Sequence, residues 1–198
     1  MSGSERSLPR RMALLFTLKQ GKTAYLVDFV LYTCATAVLM LLLLFVSPRD
    51  QWLQSCALVA VGLVAWTAIE YLLHRFILHG VEPFRSWHAA HHRRPQALIF
   101  TPTILSASLF VALVFLPALL WGSVWQACAL TLGVLAGYLG YAVTHHATHH
   151  WRARNAWLRE RKRWHARHHH EAASACYGVT SGFWDHVFAS AAPARPPP

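Results

Sequence analysis

The sequence predicts an all-α integral membrane protein, with four transmembrane helices under a cytoplasmic histidine-rich helical cap that holds a di-metal centre. Three observations predict this class. The 198-residue chain is 55% hydrophobic yet has a formal net charge of +10. It contains four apolar runs of about the 20 residues that a membrane-spanning helix needs. All 14 histidines lie between positions 74 and 186. We expect one membrane domain over residues 1–188 and a disordered Ala/Pro-rich tail over residues 189–198.

The four apolar runs are the predicted spans. They cover roughly Tyr25–Val46, Trp52–Leu73, Leu98–Trp121 and Gly122–Val143. Asp28 and Glu70 are the only charged residues within them. A soluble protein would have to bury four such runs side by side within 198 residues, so a membrane protein is favoured.

The basic residues lie on one side of these spans. Arg49 and Asp50 cancel in the loop after the first span, and the turn after the third span has no charge. Every other Lys and Arg precedes the first span, follows the fourth, or lies between the second and third. Lys/Arg excess marks the cytoplasmic side, so both termini and the central loop are predicted to be cytoplasmic. The charge therefore indicates topology and anionic lipid headgroups, and no nucleic-acid partner is expected.

The histidines form four clusters at the predicted cytoplasmic ends of the spans. The clusters are His74 and His79; His88, His91 and His92; His145, His146, His149 and His150; and His165, His168, His169 and His170. Two of them contain the pattern H-x-x-H-H, whose histidines share one face of a helix. A histidine-rich low-complexity tract would be a single run, whereas two membrane spans separate these two copies. The pattern therefore predicts a shared metal site, and His146, His150, His170 and His186 are as consistent with a structural or supporting role as with ligation.

The missing residue types narrow the metal chemistry. Soluble carboxylate-bridged di-iron proteins use Glu-x-x-His, which does not occur here, and only eight residues are acidic. A structural zinc site closes with four ligands, often including Cys, and no Cys lies among these histidines. Imidazole suits iron, zinc, copper and nickel. About ten imidazoles around two ions, with one position open, favour a di-iron site that activates O2, with zinc substituting in isolated protein.

Five segments, in this order, resemble the fatty acid hydroxylase/sterol desaturase superfamily, and most closely its fatty acid 2-hydroxylases. The segments are Glu70–His79, His88–His92, Tyr141–His150, Trp164–His169 and Tyr177–Phe188. The resemblance implies metal ligands at His74, His79, His88, His91, His92, His145, His149, His165, His168 and His169. It also implies a fatty acyl substrate, free or in a membrane lipid such as a ceramide, that is hydroxylated at C2. Many eukaryotic members carry a fused cytochrome b5 domain; none occurs here, so a separate cytochrome b5-like or ferredoxin donor is expected.

Residues beside the ligands complete the hypothesis of an O2-dependent di-iron lipid hydroxylase. Phe183 and Trp184 are expected to line the substrate site, and Asp185 to hydrogen-bond an imidazole or cap a helix. Three alternatives stay open: a desaturase or a sterol or carotenoid hydroxylase with the same centre, a metal transporter, and a non-catalytic protein with structural zinc. Transporters place ligands near the bilayer midplane, where these spans are apolar. The bias of 15 Arg over 3 Lys, with no fused donor, points to a bacterial inner membrane.

Overall fold

The computed structural model describes residues 21–98, 101–170 and 175–192, and these residues form only helices and their connections. The helices are α1 (Lys22–Phe45), α2 (Trp52–Leu72), α3 (Phe84–Arg93), α4 (Thr103–Phe110), α5 (Leu116–Trp121), α6 (Val124–His150), α7 (Ala156–His170) and α8 (Phe183–Val187). Two π-helical segments interrupt the regular hydrogen bonding. Leu73–Leu78 continues α2, and Val111–Phe115 joins α4 to α5 into one long helix.

Four helical stretches are long and apolar enough to cross a membrane, which confirms the four predicted spans. They are Lys22–Phe45, Arg49–Leu78, Thr103–Trp121 and Val124–His150. Their outer surfaces expose large apolar side chains such as Leu53, which is 86% exposed. Such a surface suits lipid, because the bilayer core contains no water to penalise it. Which end faces the cytoplasm stays a prediction.

Local sequence explains where the third and fourth spans begin. The third begins at Thr103 rather than at Leu98; Pro102 precedes it, and proline fits the start of a helix but not its interior. Residues 99 and 100 lie outside the described part of the chain. The fourth begins after Ser123, whose side chain accepts a hydrogen bond from Gln126 N while the Gln126 side chain accepts one from Ser123 N.

Helices α2 and α6 pack closely through small residues. A Cβ atom added to Gly62 would lie 2.5 Å from the Leu130 carbonyl oxygen, and one added to Gly133 would lie 2.9 Å from Gly62 Cα. Only glycine allows this approach of two backbones. Gly62 faces Gly133 and Trp66 faces Gly137 one turn later, so the helices run parallel. Their histidine-bearing ends therefore lie at the same end of the bundle.

An aromatic cluster joins all four spans below the histidines. Tyr138 of α6 is its centre, with ring centroids 4.7 Å from Tyr32 of α1, 5.4 Å from Trp66 of α2 and 5.2 Å from Phe110 of α4. Edge-to-face pairs of this kind add about 0.5–1.5 kcal/mol each to the burial of the rings. The cluster fixes the spans against one another close to the end of the bundle that carries the histidines.

The chain after α7 returns to the bundle as a C-terminal segment, residues 175–192. Ser190 and Ala192 are buried, and Cys176 N donates a hydrogen bond to the Ser190 carbonyl oxygen at 2.9 Å. Residues 189–192, which the sequence analysis placed in the tail, thus pack against the fold. Residues 193–198 lie outside the described part of the chain.

Candidate metal centre

The histidines form two sets at one end of the bundle. The five-histidine set consists of His74, His79, His88, His92 and His168, and the four-histidine set of His91, His145, His149 and His165. Within each set, every histidine offers one ring nitrogen, and these nitrogens all lie within 4.8 Å of one another. His169 lies beside the second set, with its Nε2 3.1 Å from His165 Nε2. The structure therefore brings together all ten predicted ligands, and their binding of metal stays a prediction.

The nitrogen spacing within each set fits one metal ion. With metal–nitrogen bonds of about 2.1 Å, two ligands at right angles lie about 3.0 Å apart and two opposite ligands about 4.2 Å apart. His88 Nε2 lies 3.0 Å from His74 Nε2 and 2.9 Å from His92 Nε2. In the four-histidine set, His91 Nε2 lies 3.1 Å from His145 Nε2. The residues therefore fit two ions, one in each set.

In two of the predicted ligands, hydrogen bonds of the outer nitrogen show that the lone pair of the inner nitrogen points into the five-histidine set. His74 Nδ1 donates to the Tyr177 carbonyl oxygen at 2.5 Å, and His168 Nδ1 donates to the Ala175 carbonyl oxygen at 2.9 Å. A carbonyl oxygen only accepts, so Nδ1 carries the proton of each neutral ring. The bare Nε2 atoms converge on the other imidazoles, and a cation between them would satisfy this arrangement.

Glu70 holds the C-terminal segment above His74. Its Oε1 accepts hydrogen bonds from Val179 N at 2.7 Å and Thr180 N at 2.9 Å, and its Oε2 accepts one from Thr180 Oγ1 at 2.5 Å. Glu70 precedes His74 by four residues and therefore lies on the same helix face. The carboxylate thus fixes the segment whose Tyr177 carbonyl orients His74.

Asp185 fixes the same segment from its other side and is fully buried. Its Oδ1 accepts hydrogen bonds from Tyr177 N and Ser190 Oγ, both at 2.8 Å, and its Oδ2 accepts one from Gly178 N at 2.8 Å. From the sequence we expected an imidazole partner or a helix cap. Among the described residues Asp185 bonds to no imidazole, and it acts instead through the backbone of Tyr177.

Burial keeps the ligands outside the spans neutral. Loss of solvation lowers the pKa of His91 and His168 to about 3 and that of His92 to about 4. The same cause, followed by the charge of neighbouring imidazoles, lowers the pKa of His88 and His165 well below the ordinary value. A metal binds the neutral imidazole, so these side chains are in the form that a ligand needs at pH 7.

The histidines expected to be weaker candidates lie outside both sets. His146 stacks on His150 with centroids 4.4 Å apart, and its Nδ1 lies 3.0 Å from the hydroxyl of Tyr25. His150 and His170 are exposed. His186 stacks on Trp164, 5.6 Å away.

A cavity of about 120 Å³ is lined by histidines of both sets. His88 of the first set and His91 and His145 of the second all line it. Phe183 and Trp184, expected to line the substrate site, are not among the lining residues; Phe183 is 60% exposed and Trp184 Nε1 donates to Thr67 Oγ1.

Sequence reasoning assigned no role to three residues of this cavity wall, Asp28, Tyr138 and Tyr141. The signal for Asp28 was present, because it is the one charged residue of an otherwise apolar span. Tyr138 gave no comparable signal, and Tyr141 was noted only as the first residue of a segment that resembles the family.

Several known proteins are similar to this chain. A family described as fatty acid hydroxylase matches residues 59–190. A dihydroceramide fatty acyl 2-hydroxylase of Arabidopsis thaliana is 37% identical, over 66% of this chain and 59% of its own. A ceramide very long chain fatty acid hydroxylase of Saccharomyces cerevisiae is 36% identical, over 69% of this chain and 38% of its own. The chain thus spans about 40–60% of the length of these relatives.

One solved structure has the same fold. It is that of full-length scs7p, in which only the hydroxylase domain is visible. The two chains are 28% identical and superpose with a TM-score of 0.75, over 88% of this chain and 69% of the other.

Proposed function

This chain belongs to the fatty acid hydroxylase family, and on that premise we propose that it hydroxylates the acyl chain of a membrane lipid at C2. The relatives named as fatty acyl 2-hydroxylases support the position of attack. One observation carries the proposal, namely that a single cavity is lined by ligands of both histidine sets. A C–H bond held in that cavity lies next to both metal positions.

The reaction balances with an external reductant. One C–H bond, O2, two electrons and two protons give one C–OH bond and one water, and the electrons come from a separate cytochrome b5-like or ferredoxin donor. Two iron ions, one in each set, would supply the activation of O2 that a C–H bond requires. The ten imidazoles would hold these ions.

The remaining residues of the cavity position the substrate. Phe29, Leu78 and Phe84 present apolar side chains to it, which suits an acyl chain and excludes water. Tyr138 and Tyr141 lie in the same wall and are candidates for polar contacts near the histidines. Polar groups that are few and fixed orient a substrate, while the apolar surface supplies most of the binding.

The exposed basic residues of α7 and the turn before it support the proposed orientation. Arg152, Arg154, Arg159 and Arg163 are exposed at the end of the molecule that carries the histidines. A cluster of positive charge favours the cytoplasmic side of the membrane and an acidic partner. We therefore place the metal-binding end in the cytoplasm, where an acidic electron donor can reach it.

Lipid mass spectrometry tests the proposal. Cells expressing the chain with a compatible donor and iron should gain lipids with one added oxygen at C2 of an acyl chain. The double variant His88→Ala/His92→Ala should lose that product, because two ligands of one set are removed. His150→Ala is the matched control and should keep the product, since His150 is exposed and outside both sets.

Other products would contradict the proposal. Loss of two hydrogens without added oxygen would identify a desaturase. An unchanged lipid profile, with the protein present in the membrane and loaded with iron, would exclude acyl hydroxylation in those cells and favour a non-catalytic metal protein.

A further inference from the structure

A buried carboxylate forms part of the cavity wall. Asp28 lies in α1, is only 5% exposed, and accepts hydrogen bonds from Thr103 Oγ1 at 2.7 Å and Tyr138 Oη at 3.2 Å. No ion pair involves it among the residues that the structure describes. Burying a charge without a cation is costly, and a charged residue inside a membrane span commonly marks a functional site.

The hydrogen bonds of Asp28 to Thr103 of α4 and Tyr138 of α6 do not by themselves explain why this residue is a carboxylate. An Asn side chain could make both, because the hydroxyls of Thr103 and Tyr138 can donate to its oxygen or accept from its amide. A carboxylate has about four acceptor positions, and these two hydroxyls occupy two of them. Asp28 therefore retains acceptor capacity on a side chain that also lines the cavity.

The charge of the cavity favours one chemical class of ligand. The residues that line it, all within the described part of the chain, include no Lys or Arg. A ligand carboxylate would enter without a cation and would be repelled by Asp28. A neutral hydroxyl or amide N–H would instead form a charge-assisted hydrogen bond with it.

The position of Asp28 relative to the histidines indicates which part of a lipid it meets. Its partner Tyr138 precedes His145 by seven residues on α6, two turns or about 10 Å along the axis. Tyr141 lies between them and stacks on His145 with centroids 5.8 Å apart. That separation is too long for the carbonyl or amide group next to the reacting carbon, and it suits a hydroxyl farther along the polar part of the same lipid.

We propose that Asp28 is a specificity-determining residue, whose carboxylate accepts a hydrogen bond from a neutral hydroxyl in the polar part of an acyl lipid and disfavours the free fatty acid. The proposal rests on the proposed function and assigns the substrate contact within the same cavity. Asp28→Asn is the informative variant, because it removes the charge while keeping both structural hydrogen bonds. Asp50→Asn is the matched control, since Asp50 is exposed in the loop at the other end of α1.

The test compares an N-acyl amino alcohol with the free acid of the same chain length, on purified, iron-loaded protein with an electron donor. Equilibrium binding and turnover are measured separately. We expect the wild type and Asp50→Asn to bind and turn over the amide preferentially. Asp28→Asn should lower affinity and kcat/KM for the amide by about tenfold or more and narrow its preference over the acid. Its metal content and thermal midpoint should match the wild type.

The two readouts separate the two proposals. An unchanged preference in Asp28→Asn, by binding or by turnover, overturns the role of Asp28. If the binding preference shifts but no variant forms hydroxylated product, the contact stands and the proposed reaction fails. A preference of the wild type for the free acid overturns the inference outright.

Discussion

Replacing Asp185 by Asn changes one atom and should selectively weaken the five-histidine set. Both oxygens of Asp185 accept from backbone N–H groups, Oδ1 from Tyr177 and Oδ2 from Gly178. A backbone N–H cannot become an acceptor. Whichever way the Asn amide is turned, its NH2 group faces one of these N–H groups, and that buried donor loses its partner.

The size of the effect follows from these contacts. An unsatisfied buried N–H costs about 1–3 kcal/mol, and a neutral acceptor in place of a charged one weakens the bonds that remain, for a total of about 2–5 kcal/mol. The C-terminal segment should loosen, and its carbonyls no longer orient His74 and His168. Losing such an orienting partner lowers metal affinity by about 10–100-fold.

The four-histidine set provides an internal reference. Among the described contacts, the carbonyls of the C-terminal segment bond to ligands of the five-histidine set only, at His74 and His168. Purified protein loaded with two metal ions is titrated with a chelator, and the bound metal is measured by mass spectrometry. The wild type should lose its two ions at comparable chelator concentrations, whereas Asp185→Asn should lose one ion at a chelator concentration about 10–100-fold lower.

Glu70→Gln is the matched comparison. Its Oε1 still accepts from Val179 N and Thr180 N, and its amide donates to the Thr180 hydroxyl, which can reverse its role. This variant should stay within a few-fold of the wild type. Equal metal loss from both sets in Asp185→Asn, or a larger loss in Glu70→Gln, would refute the reasoning.

Two further predictions concern the release of protons on metal binding and the packing of α2 against α6. Burial lowers the pKa of His91 to about 3 and that of His92 to about 4, so metal binding at pH 7 should release almost no protons and the metal affinity should stay nearly constant down to about pH 5.5. Calorimetry in buffers of different ionisation enthalpy measures the protons released. Release of one proton or more per ion contradicts the prediction. Gly133→Ala should lower the thermal midpoint, since its Cβ would meet the Val59 carbonyl and overpacking costs about 1–3 kcal/mol. Gly140→Ala, with open space at its Cβ, should not lower it.

The number and position of the spans could be predicted because length and apolarity alone determine them in a bilayer. The gathering of the histidines at one end could also be predicted, because every second span returns the chain to the same side of the membrane. The ends of the helices were less predictable. The helix of the fourth span, α6, continues to His150, beyond the apolar run that ends at Val143. Its histidines prolong the helix past the apolar segment.

The division of the ligands between the two sets could not be read from the sequence. In the first H-x-x-H-H pattern, His88 and His92 belong to the five-histidine set and His91 to the four-histidine set. In the second, His168 belongs to the former and His165 to the latter. Each pattern therefore contributes to both sets, and the relative rotation of α3 and α7 decides the assignment.

The supporting contacts were also beyond sequence reasoning. Glu70 and Thr180 are 110 residues apart, and no periodicity connects a carboxylate in a span with a loop so far along the chain. Asp185 was recognised as a candidate, but its action through backbone groups depends on the turn at Tyr177 and Gly178. Such contacts follow from tertiary packing alone.

The chain order of the C-terminal segment affects how the protein is made. When the ribosome has added His170, all ten candidate ligands have been synthesised, but the carbonyls of Ala175 and Tyr177 that orient His168 and His74 have not. Asp185, which holds Tyr177 in place, follows later still. The histidines of the five-histidine set are therefore synthesised before the carbonyls that orient them, so a nascent chain that stalls after α7 would present these histidines without that orientation and would hold metal less tightly.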